Sequence, residues 1–176
     1  ERNEDLRLLR GRGRYADDLP VSPKTLNAAI LRAPHAHAEI DNIDASEALA
    51  RPGVAAVITG EEVKDHCDPF LVALRQPLYQ WPVAVGRTRY TGEPVAVVIA
   101  DDRYIAEDAA ALVDVDYDPL PAVADARDAL AEGAATVHDG AEHNLLAEFD
   151  MAFGDTDAAF ATATHVFSES FHQHRG

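Results

Sequence analysis

Residues 90–121 read YTGEPVAVVIADDRYIAEDAAALVDVDYDPLP, and the changes of period within this stretch decide the fold. Pro94 to Ala100 is an unbroken, valine-rich apolar run, bounded by Gly92 before it and Asp101-Asp102 after it. A run this short, β-branched and apolar on both faces reads as a strand buried on both sides. Ile105, Ala109, Leu112 and Val113 then recur at the spacing of one helical stripe, with Arg103, Glu107 and Asp108 turned outward. Asp101 or Asp102 can cap that helix, because a short carboxylate accepts from the free N–H groups and suits the positive end. From Val113 the pattern alternates. Val113, Val115 and Tyr117 fall on one side and Asp114, Asp116 and Asp118 on the other, a half-exposed strand stopped by Pro119 and Pro121. The stretch is strand–helix–strand.

Working outward, 176 residues suit one domain with an arm, enough to bury about two thirds of the unfolded surface. No apolar run approaches the roughly 20 residues of a membrane span. No secretory signal opens the chain, and the only Met is Met151, so the sequence reads as an excised piece of something longer. The net charge of −16 is uneven: residues 101–157 hold sixteen acids against Arg103 and Arg127, whereas the first fourteen residues hold five arginines and three acids. That balance excludes nucleic acid and an anionic membrane as partners, since both need a basic face. The single cysteine, Cys67, excludes an internal disulfide, a multi-cysteine zinc site and a cysteine-ligated iron–sulfur cluster within this chain. It fits a cytoplasmic location.

Residues 1–24 read as an N-terminal arm without a sustained period. Strands are expected at Thr25 to Leu31, His37 to Ile43 and Val54 to Ile58. Asp44 with Glu47, and Thr59 with Glu62, have the spacing of capping boxes for two short helices. Residues 64–82 read as irregular. Beyond Pro121, a short helix is expected around Asp125 to Ala131 and a loop over 133–145. Asp155 can cap a helix over Thr156 to Ala163, and His165 to Phe171 alternates as a strand that lacks a partner.

Four patterns could carry chemistry. Gly11-Arg12-Gly13-Arg14-Tyr15-Ala16 matches the G-x-G-x-x-A dinucleotide fingerprint, but the mechanism needs a strand before and a helix after, and DDLP follows. A turn is the better reading. Asp114, Asp116 and Asp118 have the first three spacings of a calcium loop, but Pro119 stands where glycine must make the sharp turn, and Asp125 where a bidentate glutamate is needed. The pairs His35/His37 and His172/His174 could together make a four-histidine metal site, yet nothing in sequence brings them together, and surface or interface histidines are the simpler reading. Cys67 has His66 beside it and no third, orienting group.

GRGRYADDLP, then LRAPHAHAEI, then YTGEPVAVVIADDRYIAEDAAALVDVDYDPLPAV, resembles the molybdenum hydroxylases: xanthine dehydrogenase, aldehyde oxidase and aerobic carbon monoxide dehydrogenase. The similarity is to the α/β hammerhead domain that begins their large, molybdopterin-binding subunit, and covers about residues 8–125. The tail GDTDAAFATATHVFSESFHQHRG is similar to the segment leading into the cofactor-binding domains. The resemblance implies an α+β (mixed α/β) fold, an α/β hammerhead with strand–helix–strand units and a C-terminal extension. It implies a layout of arm (1–24), hammerhead (25–125), and linker with the start of the cofactor-binding region (126–176).

The parent enzymes hydroxylate aldehydes, N-heterocycles or related substrates with oxygen from water, or oxidise carbon monoxide. Electrons pass from molybdopterin-bound molybdenum through two [2Fe–2S] clusters to FAD. The implied partners are the downstream molybdopterin-binding domains and the iron–sulfur and FAD subunits or domains. No catalytic, cofactor-binding or metal residue is expected in this segment. Glu93, in the block Gly92-Glu93-Pro94, reads as part of the turn that starts the buried strand and not as chemistry. The chain is therefore read as a non-catalytic structural and interface domain. The alternatives are a metal-dependent hydrolase using the histidine pairs, and a free-standing acidic binding module.

Overall fold

The computed structural model describes residues 2–71, 78–171 and 173. In chain order its elements are α1 (Asp5–Leu9), β1 (Asn27–Arg32), β2 (Ala38–Asp44), α2 (Ser46–Leu49), β3 (Val54–Thr59), α3 (Gly60–Lys64), β4 (Phe70–Leu71), β5 (Tyr79–Gln80), β6 (Arg87–Thr88), β7 (Pro94–Ala100), α4 (Arg103–Ala110), β8 (Asp114–Pro119) and α5 (Thr156–Thr162). One sheet runs β1-β7-β3, a second β6-β2-β8, and β4 pairs with β5; every pairing is antiparallel.

The apolar run is the central strand. β7 hydrogen-bonds to β1 along one edge and β3 along the other, with Val98 opposite Ala29 and Val57. One face of this sheet carries Ala96 and Val98 into a core shared with Ala48 of α2, Ala109 and Ala110 of α4, and Val113. On the opposite face Val95 is fully buried, while Val97 and Ile99 are half-buried. Alternating side chains make both faces apolar because both are covered.

Asp102 caps α4, its Oδ1 accepting from Ile105 N at 2.9 Å. The helix ends at Ala110, so Leu112 and Val113 lie beyond it. Its buried face is Ala106, Ala109 and Ala110, with Ile105 only half-buried, so the stripe is rotated from the expected one. Small alanines let the helix sit close on the sheet. The strand–helix–strand unit is real, but its two strands join different sheets: α4 carries the chain from the first sheet across to β8 at the edge of the second.

Several local expectations need correction. Asp44 Oδ1 accepts from Ser46 N at 2.9 Å, but the residue before α2 is Ala45 and no capping box forms there. The Thr59/Glu62 box does form. The irregular stretch contains the short β4–β5 pairing, and the arm contains α1, all of whose residues are exposed. The helix expected around Asp125 to Ala131 is a single 3-10 turn, Asp128–Leu130. Asp155 caps α5 as expected, its Oδ1 accepting from Ala158 N at 2.9 Å. His165 to Phe171 makes no ladder. Alternation supplies two faces, but a strand also needs a partner edge, and among the described residues none lies beside it.

Candidate functional site: a buried polar junction

The second sheet gathers the buried polar side chains. β6 pairs with β2 so that Arg87 stands opposite Glu39 and Thr88 opposite Ala38. Opposite charges at facing positions attract across a ladder. Arg87 Nε donates to Glu39 Oε1 at 3.0 Å, and Nη2 donates to the same oxygen. On its other side the Arg87 Nη1 donates to Asp139, which also lies 3.7 Å from Arg89 Nη2. Two alternate residues of an extended segment, Arg87 and Arg89, thus grip a loop some fifty residues later. The Arg87 hydrogen bond holds the Glu39 carboxyl below its usual range.

Three polar residues are buried here: Thr88, Glu93 at 1% exposure and His37 at 5%. Gly92, with φ of +88°, makes the turn into β7, and Glu93 N donates to Tyr90 O at 3.2 Å, as the turn reading of this block requires. The Glu93 side chain then folds inward, its Oε2 accepting from Arg89 N. Burial pushes this carboxyl above its usual value, with Arg89 and the backbone donors of Arg89 and Tyr90 opposing. An ionised form disfavoured by folding means that the native state binds more protons than the unfolded chain above the ordinary glutamate range. Stability associated with this group is therefore present in acid and lost as pH rises through its raised value. The Glu93→Gln variant, which keeps an acceptor for Arg89 N, is expected to gain on the parent as pH rises from 5 to 8. Urea midpoints measure the difference; a difference that stays flat or shrinks contradicts this assignment.

His37 is not a surface histidine. Its Nδ1–H donates to Pro121 O at 2.8 Å and its backbone carbonyl accepts from Leu120 N at 2.9 Å, so it ties the chain beyond β8 back to the start of β2. Its Nε2, like Arg89 Nε, is buried without a hydrogen-bond partner among the described residues. His35 instead meets the edge of the Tyr117 ring, with centroids 5.0 Å apart. His172 and His174 lie outside the described residues. The four-histidine site has no support.

The other patterns also resolve locally. The Gly11–Ala16 segment follows α1 and runs into the 3-10 turn Ala16–Asp18, without a preceding strand or a following helix to hold a pyrophosphate. Asp114, Asp116 and Asp118 are exposed on β8, facing Asp44, Asn42 and Glu39 of β2. A cleft of about 420 Å³ between β2 and the β3–α3 corner contains Glu62, whose carboxylate accepts from Thr59 N at 2.8 Å. Among the described residues no three His, Cys, Asp or Glu side chains converge as a metal site, and Cys67 is exposed. The junction can order a loop and a turn; among the described residues it places no nucleophile beside a base. No composition or period signalled it, because its pairs are separated by 48 and 52 residues. The one visible trace is the Arg-x-Arg alternation of Arg87 and Arg89.

Comparison with known proteins places this architecture. The chain is 42% identical over 178 residues to the 6-hydroxypseudooxynicotine dehydrogenase complex subunit gamma of Paenarthrobacter nicotinovorans, spanning 97% of this chain and 22% of that one. It is 37% identical over 191 residues to the carbon monoxide dehydrogenase large chain of Afipia carboxidovorans, covering 99% of this chain and 23% of that one. Among solved structures, quinoline 2-oxidoreductase from Pseudomonas putida 86 superposes with a TM-score of 0.78 at 42% identity, over 93% of this chain and 21% of that one. The aldehyde oxidoreductase of Desulfovibrio gigas gives a TM-score of 0.73 at 30% identity, over 93% of this chain and 19% of that one. The chain thus spans about a fifth of the length of these relatives. Residues 10–121, which hold both main sheets and α4, match the model of the aldehyde oxidase and xanthine dehydrogenase a/b hammerhead domain, and it is to this family that the chain belongs.

Proposed function

We propose that this chain is a structural and interface segment of a molybdenum hydroxylase large subunit, and that it carries no catalytic residue of its own. The parent enzyme on this reading hydroxylates an aldehyde, an N-heterocycle or a related substrate with oxygen from water, or oxidises carbon monoxide. Molybdopterin-bound molybdenum supplies the redox chemistry, and two [2Fe–2S] clusters and FAD carry the electrons away on other subunits or domains. The layout is an arm over 1–24, the hammerhead over 25–125, and over 126–176 a linker with the start of the cofactor-binding region. A cytoplasmic location is part of the proposal and suits the exposed thiol of Cys67.

The described residues offer no ligand set for an iron–sulfur cluster. The chain's one thiol is exposed, no three potential ligands converge among the described residues, and the glycine-rich segment is a turn. What the chain offers is surface. Beyond Val113 no described residue is buried, while Met151 is 88% exposed, Phe153 98%, Phe167 91% and Phe171 90%. Apolar side chains exposed at this density along one segment mark a contact surface, and that observation carries the proposal. Their partner is taken to be the downstream molybdopterin-binding domains of the same subunit. Among the described residues no helix is long and apolar enough to cross a membrane.

Amide hydrogen exchange in a dilute monomer tests this. Residues 165–171 are expected to exchange orders of magnitude faster than residues 95–100, whose amides lie in the central strand. Equal protection in the two segments would show a tail that needs nothing outside itself, and would overturn the interface role.

A further inference from the structure

We propose that a single buried water molecule joins His37 to Arg89, accepting from Arg89 Nε–H and donating to His37 Nε2. It closes the polar junction into one network and ties the chain beyond β8 to the segment that enters β7. The inference stands apart from the interface role proposed above and rests on two buried polar atoms and the strand register.

The register brings the two side chains together. β2 and β6 face each other with Ala38 opposite Thr88 and Glu39 opposite Arg87. One residue further along the same count, His37 stands opposite Arg89. Side chains two residues apart on a strand share a face, so this pair sits beside Glu39 and Arg87, whose side chains already meet across the ladder. Ile40 N donates to Gly86 O at 2.9 Å, which makes 40 and 86 a hydrogen-bonded pair. Antiparallel pairs alternate, so 37 and 89 fall at a non-hydrogen-bonded position, where facing side chains approach most closely.

The two atoms are chemically complementary to water. His37 Nδ1 lies 2.8 Å from Pro121 O. A carbonyl only accepts, so the ring proton is on Nδ1, and the neutral ring presents a lone pair at Nε2. Arg89 offers donors alone. Its Nη1 donates to Arg87 O at 3.2 Å, its Nη2 lies 3.7 Å from Asp139 Oδ2, and its backbone N donates to Glu93 Oε2, which leaves Nε–H. Both Nε2 and Nε are buried without a partner among the described residues. Buried polar groups are satisfied by protein or by ordered water, because an orphan forfeits the hydrogen bonds it made in the unfolded chain. A buried acceptor facing a buried donor calls for a group that both donates and accepts, and two such partners suffice to hold one water. An anion is refused by the Nε2 lone pair, and a cation by the guanidinium. The completed path runs from Pro121 through the His37 ring and the water to Arg89, and from there to Asp139 and Glu93.

The test is NMR of the unsubstituted full chain at pH 7.5. Arg89 Nε–H is expected to show a cross-peak to water whose sign inverts between laboratory-frame and rotating-frame experiments, the mark of a held water as against proton exchange or passing solvent. The two ring nitrogen shifts of His37 are expected to report the Nδ1–H tautomer. Absence of that cross-peak, a proton on Nε2, or a scalar coupling between Arg89 Nε and His37 Nε2 that reveals a direct bond overturns the proposal. His37→Phe keeps a ring of similar size and offers no acceptor. It is expected to lose the cross-peak and to speed exchange of Arg89 Nε–H by about tenfold or more. A folded His37→Phe chain that keeps either the cross-peak or the parent exchange rate overturns the proposal, and the readouts on the unsubstituted chain decide it whether or not the variant folds.

Discussion

Replacing Gly60 with Ala is expected to destabilise the chain by about 3 kcal/mol, the upper end of what overpacking costs. Gly60 is the buried first residue of α3, and a Cβ built on it would lie 2.1 Å from the Ala84 carbonyl oxygen and 2.9 Å from Val85 Cγ2. Helix propensity alone favours the substitution by up to about 1 kcal/mol, so the sign depends on whether Ala84 can yield. It is poorly placed to do so, because Ala84 N donates to Pro94 O at 2.7 Å and so fixes this turn against the start of β7. Moving the carbonyl would disturb the central strand. Urea denaturation measures the change; a Gly60→Ala variant as stable as the parent would mean that the α3–β7 corner is loosely joined.

The second large effect is expected at Val98. Its side chain is fully buried between the flanking strands and the α2–α4 layer. Truncation to Ala removes two methyl groups, about 0.8 kcal/mol each in transfer energy, and leaves a cavity in a layer of alanines that has little to collapse with. The expected loss is about 2–3 kcal/mol. Val97, on the opposite face and only half-buried, should lose roughly half as much when truncated. Losses below about 0.5 kcal/mol at both positions would show that β7 is not the central strand.

These two positions also mark how far sequence reading reaches. Val98 was legible, because a continuous valine-rich run between Gly92 and Asp101 has few ways to fold. The Asp102 cap, the Thr59/Glu62 box and the Asp155 cap were legible for the same reason, each being a contact over three residues. Gly60 was not, since its constraint comes from a carbonyl twenty-four residues away that no local pattern announces. The assignment of β7 and β8 to different sheets was hidden as well: local periods give strands but not their neighbours. The polar junction was the least visible part. Glu39, Arg87, Arg89 and Asp139 are ordinary surface residue types, and His37 looks like any histidine until the chain beyond β8 returns to cover it. The motif blocks that resemble the molybdenum hydroxylases identified the family without revealing this junction, because a resemblance names a fold and leaves its contacts to be found.

The reading of this chain as scaffold is tested most directly on the purified 176-residue protein. Molybdenum, iron and flavin are measured per chain, and turnover of aldehydes is followed with an artificial electron acceptor. The account predicts far less than one equivalent of each cofactor and no turnover above the protein-free rate. Stoichiometric molybdenum, iron or flavin, or aldehyde oxidation that tracks the protein through purification, would contradict it.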